Sequence, residues 1–183
     1  MYTVEDPITW NPRRIVVAGA SGAGKTTLCG QLECALSLPR VEIDSLYHGA
    51  GWQPRASFVE EVEAFSSGEE WVIEWQYRAV RGLLVERADT LVWLDYPSWL
   101  QMARLVRRTV RRRLARQELW NGNYEPPLRT IFSDEEHIIR WGMRTRNMLR
   151  PIVPALEHEY PALHIVRLRS PRQTRGWLRR LGS

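Results

Sequence analysis

Gly19, Gly24, Lys25 and Thr26 stand in the spacing G-x-x-x-x-G-K-S/T, within the stretch Gly19, Ala20, Ser21, Gly22, Ala23, Gly24, Lys25, Thr26, Thr27. That pattern suits a loop that grips a polyphosphate. Glycines take positive φ at little steric cost, so the backbone can wrap an anion. The loop amides and the N-terminus of the helix that follows then point at it. Lys25 is placed to reach the β- and γ-phosphates, and the Thr26 hydroxyl to hold Mg²⁺. Lys25 is also the only lysine in the chain. These residues predict the binding of a nucleoside triphosphate, taken here as Mg-ATP. They do not name a second substrate.

The loop needs a strand before it and a helix after it. Ile15, Val16, Val17 and Ala18 form a short apolar run, read as a buried strand over 14–19. Leu28, Leu32, Ala35 and Leu36 give the helix of 25–37 an apolar face, and Pro39 stops it. A second strand is read at Val41–Ile43, a third at Trp71–Ile73, a fourth at Thr90–Leu94 and a fifth at Leu163–Leu168. Helices are read at 57–67, 79–87, 98–116, 134–150 and 171–181. Ser57 with Glu60 and Ser133 with Glu136 are the expected caps; Pro151 and Pro154 are expected to break the helix they follow. Residues 1–13 read as a surface lead-in.

Alternating strands and helices imply a parallel sheet covered on both faces. Ligands of such sheets sit at the carboxyl ends of the strands. Gly19, Asp44, Glu74 and Asp95 all fall at such ends, so three acids should surround one phosphate loop.

The 183 residues suit one domain. Cys29 and Cys34 lie five apart on one predicted helix and point in different directions, which argues against a disulfide or a metal site and fits a reducing cytoplasm. No apolar run reaches membrane-spanning length. The net charge of +5 comes from arginine apart from Lys25. Nucleic acid could account for that sign, and so could a nucleotide substrate. Arg104, Arg107, Arg108, Arg111, Arg112, Arg113 and Arg116 lie in a stretch with no acid from Tyr96 to Gln117. Spacings of three and four put Arg104, Arg108 and Arg111 on one helix face.

Taken in order, these motifs resemble the adenylate-kinase-like group of P-loop kinases, and most nearly the small bacterial proteins called topology modulation proteins. The segments that carry the likeness are Gly19–Thr26, Leu38–Asp44, Gly51–Trp52, Trp71–Tyr77, Ala88–Asp95 and Arg104–Arg116. The resemblance implies a three-layer P-loop fold with a five-stranded parallel sheet in the order 2-3-1-4-5. A small arginine-rich lid over about 104–128 would sit within a single domain, 1–183. One departure stands out: the family's third strand ends Asp-Gly-Asn-Tyr, where this chain has Glu74-Trp75-Gln76-Tyr77.

The same resemblance implies roles. Asp44 would orient or deprotonate an acceptor hydroxyl, or support Mg²⁺ through water. Glu74 would hold Mg²⁺ through water or act as a base. Arg78, and alternatively Arg55, would grip an acceptor phosphate. Arg104, nine residues past Asp95, would stack on adenine, and Arg108 would touch the phosphates. Asp95 would hold the helix after its strand or contact metal. Arg140, Arg144 and Arg146 could reach in from the following helix. Trp52 and Trp75 would wall the acceptor pocket or belong to the core. His48 and His137 carry no pattern and read as loop or surface residues. The lid lacks cysteine pairs and so should carry no zinc.

The function expected is phosphoryl transfer from Mg-ATP to a small acceptor, a nucleoside or nucleotide. The rival expectation is a nucleic-acid-associated or regulatory ATPase, supported by the arginine helix and opposed by the lack of a reader motif.

Overall fold

The computed structural model describes residues 1–131, 133–135 and 137–181. Four strands form one parallel sheet: β1 (Arg14–Gly19), β2 (Trp71–Glu74), β3 (Thr90–Leu94) and β4 (His164–Leu168), in the order β2-β1-β3-β4. Val16 lies beside Ile73 on one side and Leu91 on the other, and Val92 lies beside Val166. The strands are near-continuous apolar runs because both faces are covered.

Alternation along β1 divides the core in two. Ile15 and Val17 face α1 (Lys25–Leu36) and α8 (Pro171–Leu181), where they pack with Leu28, Cys29, Leu32 and Trp177. Val16 and Ala18 face α3 (Phe58–Ser66), α4 (Arg78–Arg87) and α7 (Leu149–Glu159), where they meet Val62, Val80, Leu84 and Val153. The long helix α5 (Ser98–Leu114) follows β3, and α6 (Ile138–Thr145) packs against it.

The expected strand at Val41–Ile43 does not form, so the sheet has four strands instead of five. The remaining four keep their expected relative order. Only an isolated bridge, Arg40 with Val72, marks where the fifth strand would lie. The reason is a side chain: the Ile43 N–H donates to Glu74 Oε2 at 3.1 Å. The chain then turns into the short helix α2 (Ile43–Tyr47), which carries Asp44 in its first turn.

Other expectations change locally. Ser57 precedes α3 but bonds Glu61 at 2.6 Å, not Glu60. The helix expected over 134–150 is two helices, α6 and α7, and α6 is capped by His137 Nδ1 accepting from the Ile139 N–H; Glu136 lies outside the described residues. Pro151 and Pro154 sit inside α7. Pro151 falls in the first turn, where an N–H has no partner to lose, and burial of Leu149, Val153 and Leu156 holds the rest in place. The lead-in is also more ordered than a surface strap. Tyr2 bonds the β4 edge through Ile165 and Arg167, and Trp10 stacks on His164 at 4.2 Å. No helix among the described residues is long and apolar enough to cross a membrane.

Candidate active site

Between β1 and α1 the backbone takes φ of +82° at Gly22 and +101° at Gly24. A Cβ at Gly22 would lie 2.2 Å from the Gln101 carbonyl oxygen, so the loop rests directly on α5. Lys25 Nζ donates to the Gly19 carbonyl at 3.1 Å across the loop. The loop, from Ser21 to Thr27, forms the floor of a cleft of about 950 Å³. Asp44, Arg104 and Arg108 line the same cleft, as do Glu42, Gln76, Arg111, Arg112, Trp120 and Arg175.

Charge around Lys25 is finely opposed. Burial holds its ammonium below the usual lysine range, Asp44 and Glu74 pull it back up, and Arg108 pushes it down again. Glu74 is buried at 4 % exposure behind the loop. Burial raises its carboxyl above the ordinary range; the Ile43 N–H, the Thr26 hydroxyl and Lys25 offset part of that, and Asp44 adds to it. Arg108 is half-buried, and among the described residues its Nε has no hydrogen-bond partner. Burial and the neighbouring Arg112 lower its pKa. An arginine held in this way is short of negative charge, and a phosphate in the cleft would supply it.

Asp44 Oδ1 accepts from Gln76 Nε2 at 2.8 Å and from the Tyr77 hydroxyl at 2.7 Å. Among the described residues Oδ2 has no hydrogen bond. Tyr77 also contacts His48 Nε2 at 3.0 Å. His48, which no sequence pattern marks, therefore stands behind Asp44, one hydroxyl away, and not on the cleft wall. Burial lowers its pKa, against the pull of Asp44.

The segment after α5 folds back over the cleft. Trp120 Nε1 donates to Glu42 Oε2 at 2.9 Å, and Asn123 Nδ2 donates to the Gly49 carbonyl at 2.8 Å. Arg112 lies over the Trp120 ring at 5.7 Å and pairs with the buried Glu125 at 3.5 Å. Burial alone would raise Glu42, but Trp120, Arg40 and Arg112 outweigh it and hold its carboxyl low. Trp120, Asn121 and Asn123 fall within the expected lid, and these partners lie more than seventy residues away.

Several residues assigned to the acceptor side lie elsewhere. Trp75 is 3 % exposed, packs in the core and donates its indole N–H to the Arg81 carbonyl, so it presents no stacking surface to the cleft. Arg55 is locked to Glu61 at 2.5 Å and to the Ser45 and Leu46 carbonyls. Trp52 anchors the 117–125 segment, with its N–H on Asn123 and its indole on Tyr124. Arg78 is exposed at the start of α4, off the cleft wall. Arg140 pairs with Glu135 at 3.6 Å, and Arg146 bonds its own helix at Met143. Asp95 pairs with Arg167 and Arg150 behind the sheet end. Arg104 lies over the Tyr96 ring at 5.6 Å, beside the loop.

No protein-family model matches the chain, and no curated protein matches it. Solved structures do. A gluconokinase from Sinorhizobium meliloti 1021 superposes with a TM-score of 0.53 at 20% identity, over 93% of this chain and 92% of its own. A shikimate kinase from Acinetobacter baumannii, in complex with shikimate, gives 0.53 at 17%, over 93% and 90%. A sugar kinase from Janibacter sp. HTCC2649 gives 0.52 at 18%, over 93% and 92%. The chain thus shares the fold of these three kinases. The narrower likeness to topology modulation proteins gains no support from these matches.

Proposed function

We propose that the chain is an ATP-dependent phosphotransferase that moves the γ-phosphoryl group of Mg-ATP to a hydroxyl of a small acceptor. The observation that carries this reading is the convergence of Lys25, Asp44 and the half-buried Arg108 on one cleft above a phosphate-binding loop. The loop amides and Lys25 hold the triphosphate. Arg104 steadies the base end, and Arg108 faces the oxygens on which charge grows during transfer.

Asp44 receives the acceptor's hydroxyl proton on Oδ2. The acceptor oxygen bonds to the γ-phosphorus, the bond to the β,γ-bridging oxygen breaks, and ADP leaves. The residues fit a hard divalent cation of the kind that keeps waters and phosphate oxygens as ligands. The Thr26 hydroxyl would hold Mg²⁺ directly, with Asp44 and Glu74 behind it through water; Glu74 lies close enough to Thr26 and Asp44 for each to move its pKa. Mg²⁺, when bound, neutralises charge on the β- and γ-phosphates. The 117–128 segment acts as a lid that excludes water.

The acceptor is read as a hydroxylated small molecule, with nucleosides inside that class. A nucleoside monophosphate would need its own arginine clamp, and Arg55, Arg78 and Arg140 are paired or off the wall. The names of the structural neighbours concern gluconate, shikimate and sugars, which also carry free hydroxyls. The nucleic-acid reading loses its main support, because Arg104, Arg108, Arg111 and Arg112 line the cleft. The test is labelled ATP against a panel of adenosine, guanosine, AMP, D-gluconate, shikimate and ribitol. Label on a non-phosphorylated member supports the reading. Label on AMP alone would restore the nucleotide assignment, and stimulation of ATP hydrolysis by duplex DNA without any labelled acceptor would replace it.

A further inference from the structure

The helix that carries Asp44 is only five residues long, and the lid grips it at both ends. Glu42, at its N-terminal cap, accepts the Trp120 indole N–H at 2.9 Å. His48, at its C-terminal cap, offers its carbonyl to Asn121 Nδ2, and its ring lies 6.1 Å from Trp120 at 25°. Asn123 pins the next residue, Gly49, through its carbonyl.

A second line runs from His48 to the carboxylate. The Tyr77 hydroxyl has one proton, and the Asp44 carboxylate can only accept it. His48 Nε2 must then carry a hydrogen and donate it to the Tyr77 oxygen. That assignment leaves Nδ1 without a proton; Nδ1 is buried and makes no hydrogen bond of ordinary geometry among the described residues, although the Trp52 backbone lies near enough to raise the ring's pKa. Tyr77 is itself fixed from every side. Its ring stacks on Tyr47 at 3.9 Å and meets Phe58 edge-on at 5.3 Å. Its backbone takes φ +50° and ψ 113°, a conformation L residues rarely adopt. Such strain persists only where the surroundings over-determine it.

Resting on the role proposed for Asp44, we infer that His48 and Tyr77 are positioning residues that convey lid docking to that carboxylate. With the lid seated, Gln76 and Tyr77 saturate Oδ1 and leave Oδ2 for the acceptor. With the lid raised, α2 loses both end contacts and Oδ2 is no longer held in place. The base is thus set only when water is shut out, which favours transfer over hydrolysis.

The experiment compares Tyr77→Phe, His48→Ala, His48→Gln and Trp120→Phe with the wild type, using Mg-ATP and whichever panel member is labelled. Tyr77→Phe keeps the stack on Tyr47 and loses one hydrogen bond to a charged group, so kcat should fall by about 10- to 100-fold. KM for ATP should stay within about twofold, because the lost bond does not touch the triphosphate. His48→Gln, which retains a side-chain N–H donor, should recover part of what His48→Ala loses. Trp120→Phe should raise the ratio of ATP hydrolysed to acceptor phosphorylated, and should speed hydrogen exchange across α2 but not across α1. An unchanged kcat in Tyr77→Phe and His48→Ala, with Asp44→Asn inactive, would overturn the proposal and leave the Asp44 role standing. Full transfer by Asp44→Asn, or no labelled acceptor at all, would remove that role and the proposal with it.

Discussion

Gly22→Ala should destabilise the chain much more than Gly51→Ala, although both glycines have positive φ, 82° and 65°. The left-handed backbone costs an L residue roughly 1–2 kcal/mol, and both variants carry that penalty. Gly51 has nothing within 4 Å of its would-be Cβ. At Gly22 that atom would meet the Gln101 carbonyl oxygen at 2.2 Å and Leu105 Cβ at 3.0 Å. Relief requires the start of α5 to move by about 1 Å, and overpacking of this kind costs about 1–3 kcal/mol. For a chain of this size each kcal/mol shifts Tm by about 2–4 °C. Gly22→Ala should therefore melt roughly 2–12 °C below Gly51→Ala when followed by circular dichroism. Arg104 and Arg108 ride on the same helix, so calorimetry should find Mg-ATP affinity lowered in Gly22→Ala and little changed in Gly51→Ala. Equal melting shifts for the two variants would refute the contact between the loop and α5 as a determinant of either property.

Arg108→Gln should lower kcat by about 10²–10³-fold, the usual cost of removing a group that stabilises transition-state charge. Its Tm should change little, because among the described residues the guanidinium Nε has no hydrogen bond to lose and burial works against its charge. Glu74→Gln should show a pH signature. Burial raises the folded-state pKa above the ordinary 4.5, so the native chain binds more protons than the unfolded one in the window above 4.5. Wild-type stability is then lost as pH rises through that window, and the urea-measured advantage of Glu74→Gln should grow from pH 4.5 upward; a constant difference would contradict it. Trp10→Ala removes the stack on His164 and the bond to Thr90 Oγ1. In urea unfolding it should cost no more than the lower end of the roughly 3–5 kcal/mol of a core tryptophan, because Trp10 is only half-buried, and kcat should not change, since both contacts lie at the strand starts, opposite the cleft.

The phosphate loop is legible because its determinants are local: an apolar strand, Gly24 in left-handed backbone and a helix start. Gly22 is the exception within it. The motif leaves that position open, and the packing of Gln101, 79 residues later, explains the glycine. The expected second strand fails for a similar reason. Val41, Glu42 and Ile43 have strand composition, but the Ile43 N–H is taken by a carboxylate 31 residues away. Ring direction was equally out of reach for Trp75, whose indole finds the Arg81 carbonyl only after α4 has formed. Arg55 was closer to legible. Helical pitch puts Glu61 within reach of both Ser57 and Arg55, where the capping pattern had pointed to Glu60. Trp120, Asn121 and Asn123 form only a turn locally; their polar atoms are used across the cleft.

Phosphoryl transfer itself is tested most directly by ³¹P NMR of the wild-type chain with Mg-ATP and the acceptor panel. A new phosphomonoester resonance should appear in step with ADP and vanish in Lys25→Ala. Inorganic phosphate as the sole product, or a phosphomonoester that Lys25→Ala makes equally well, would contradict the assignment.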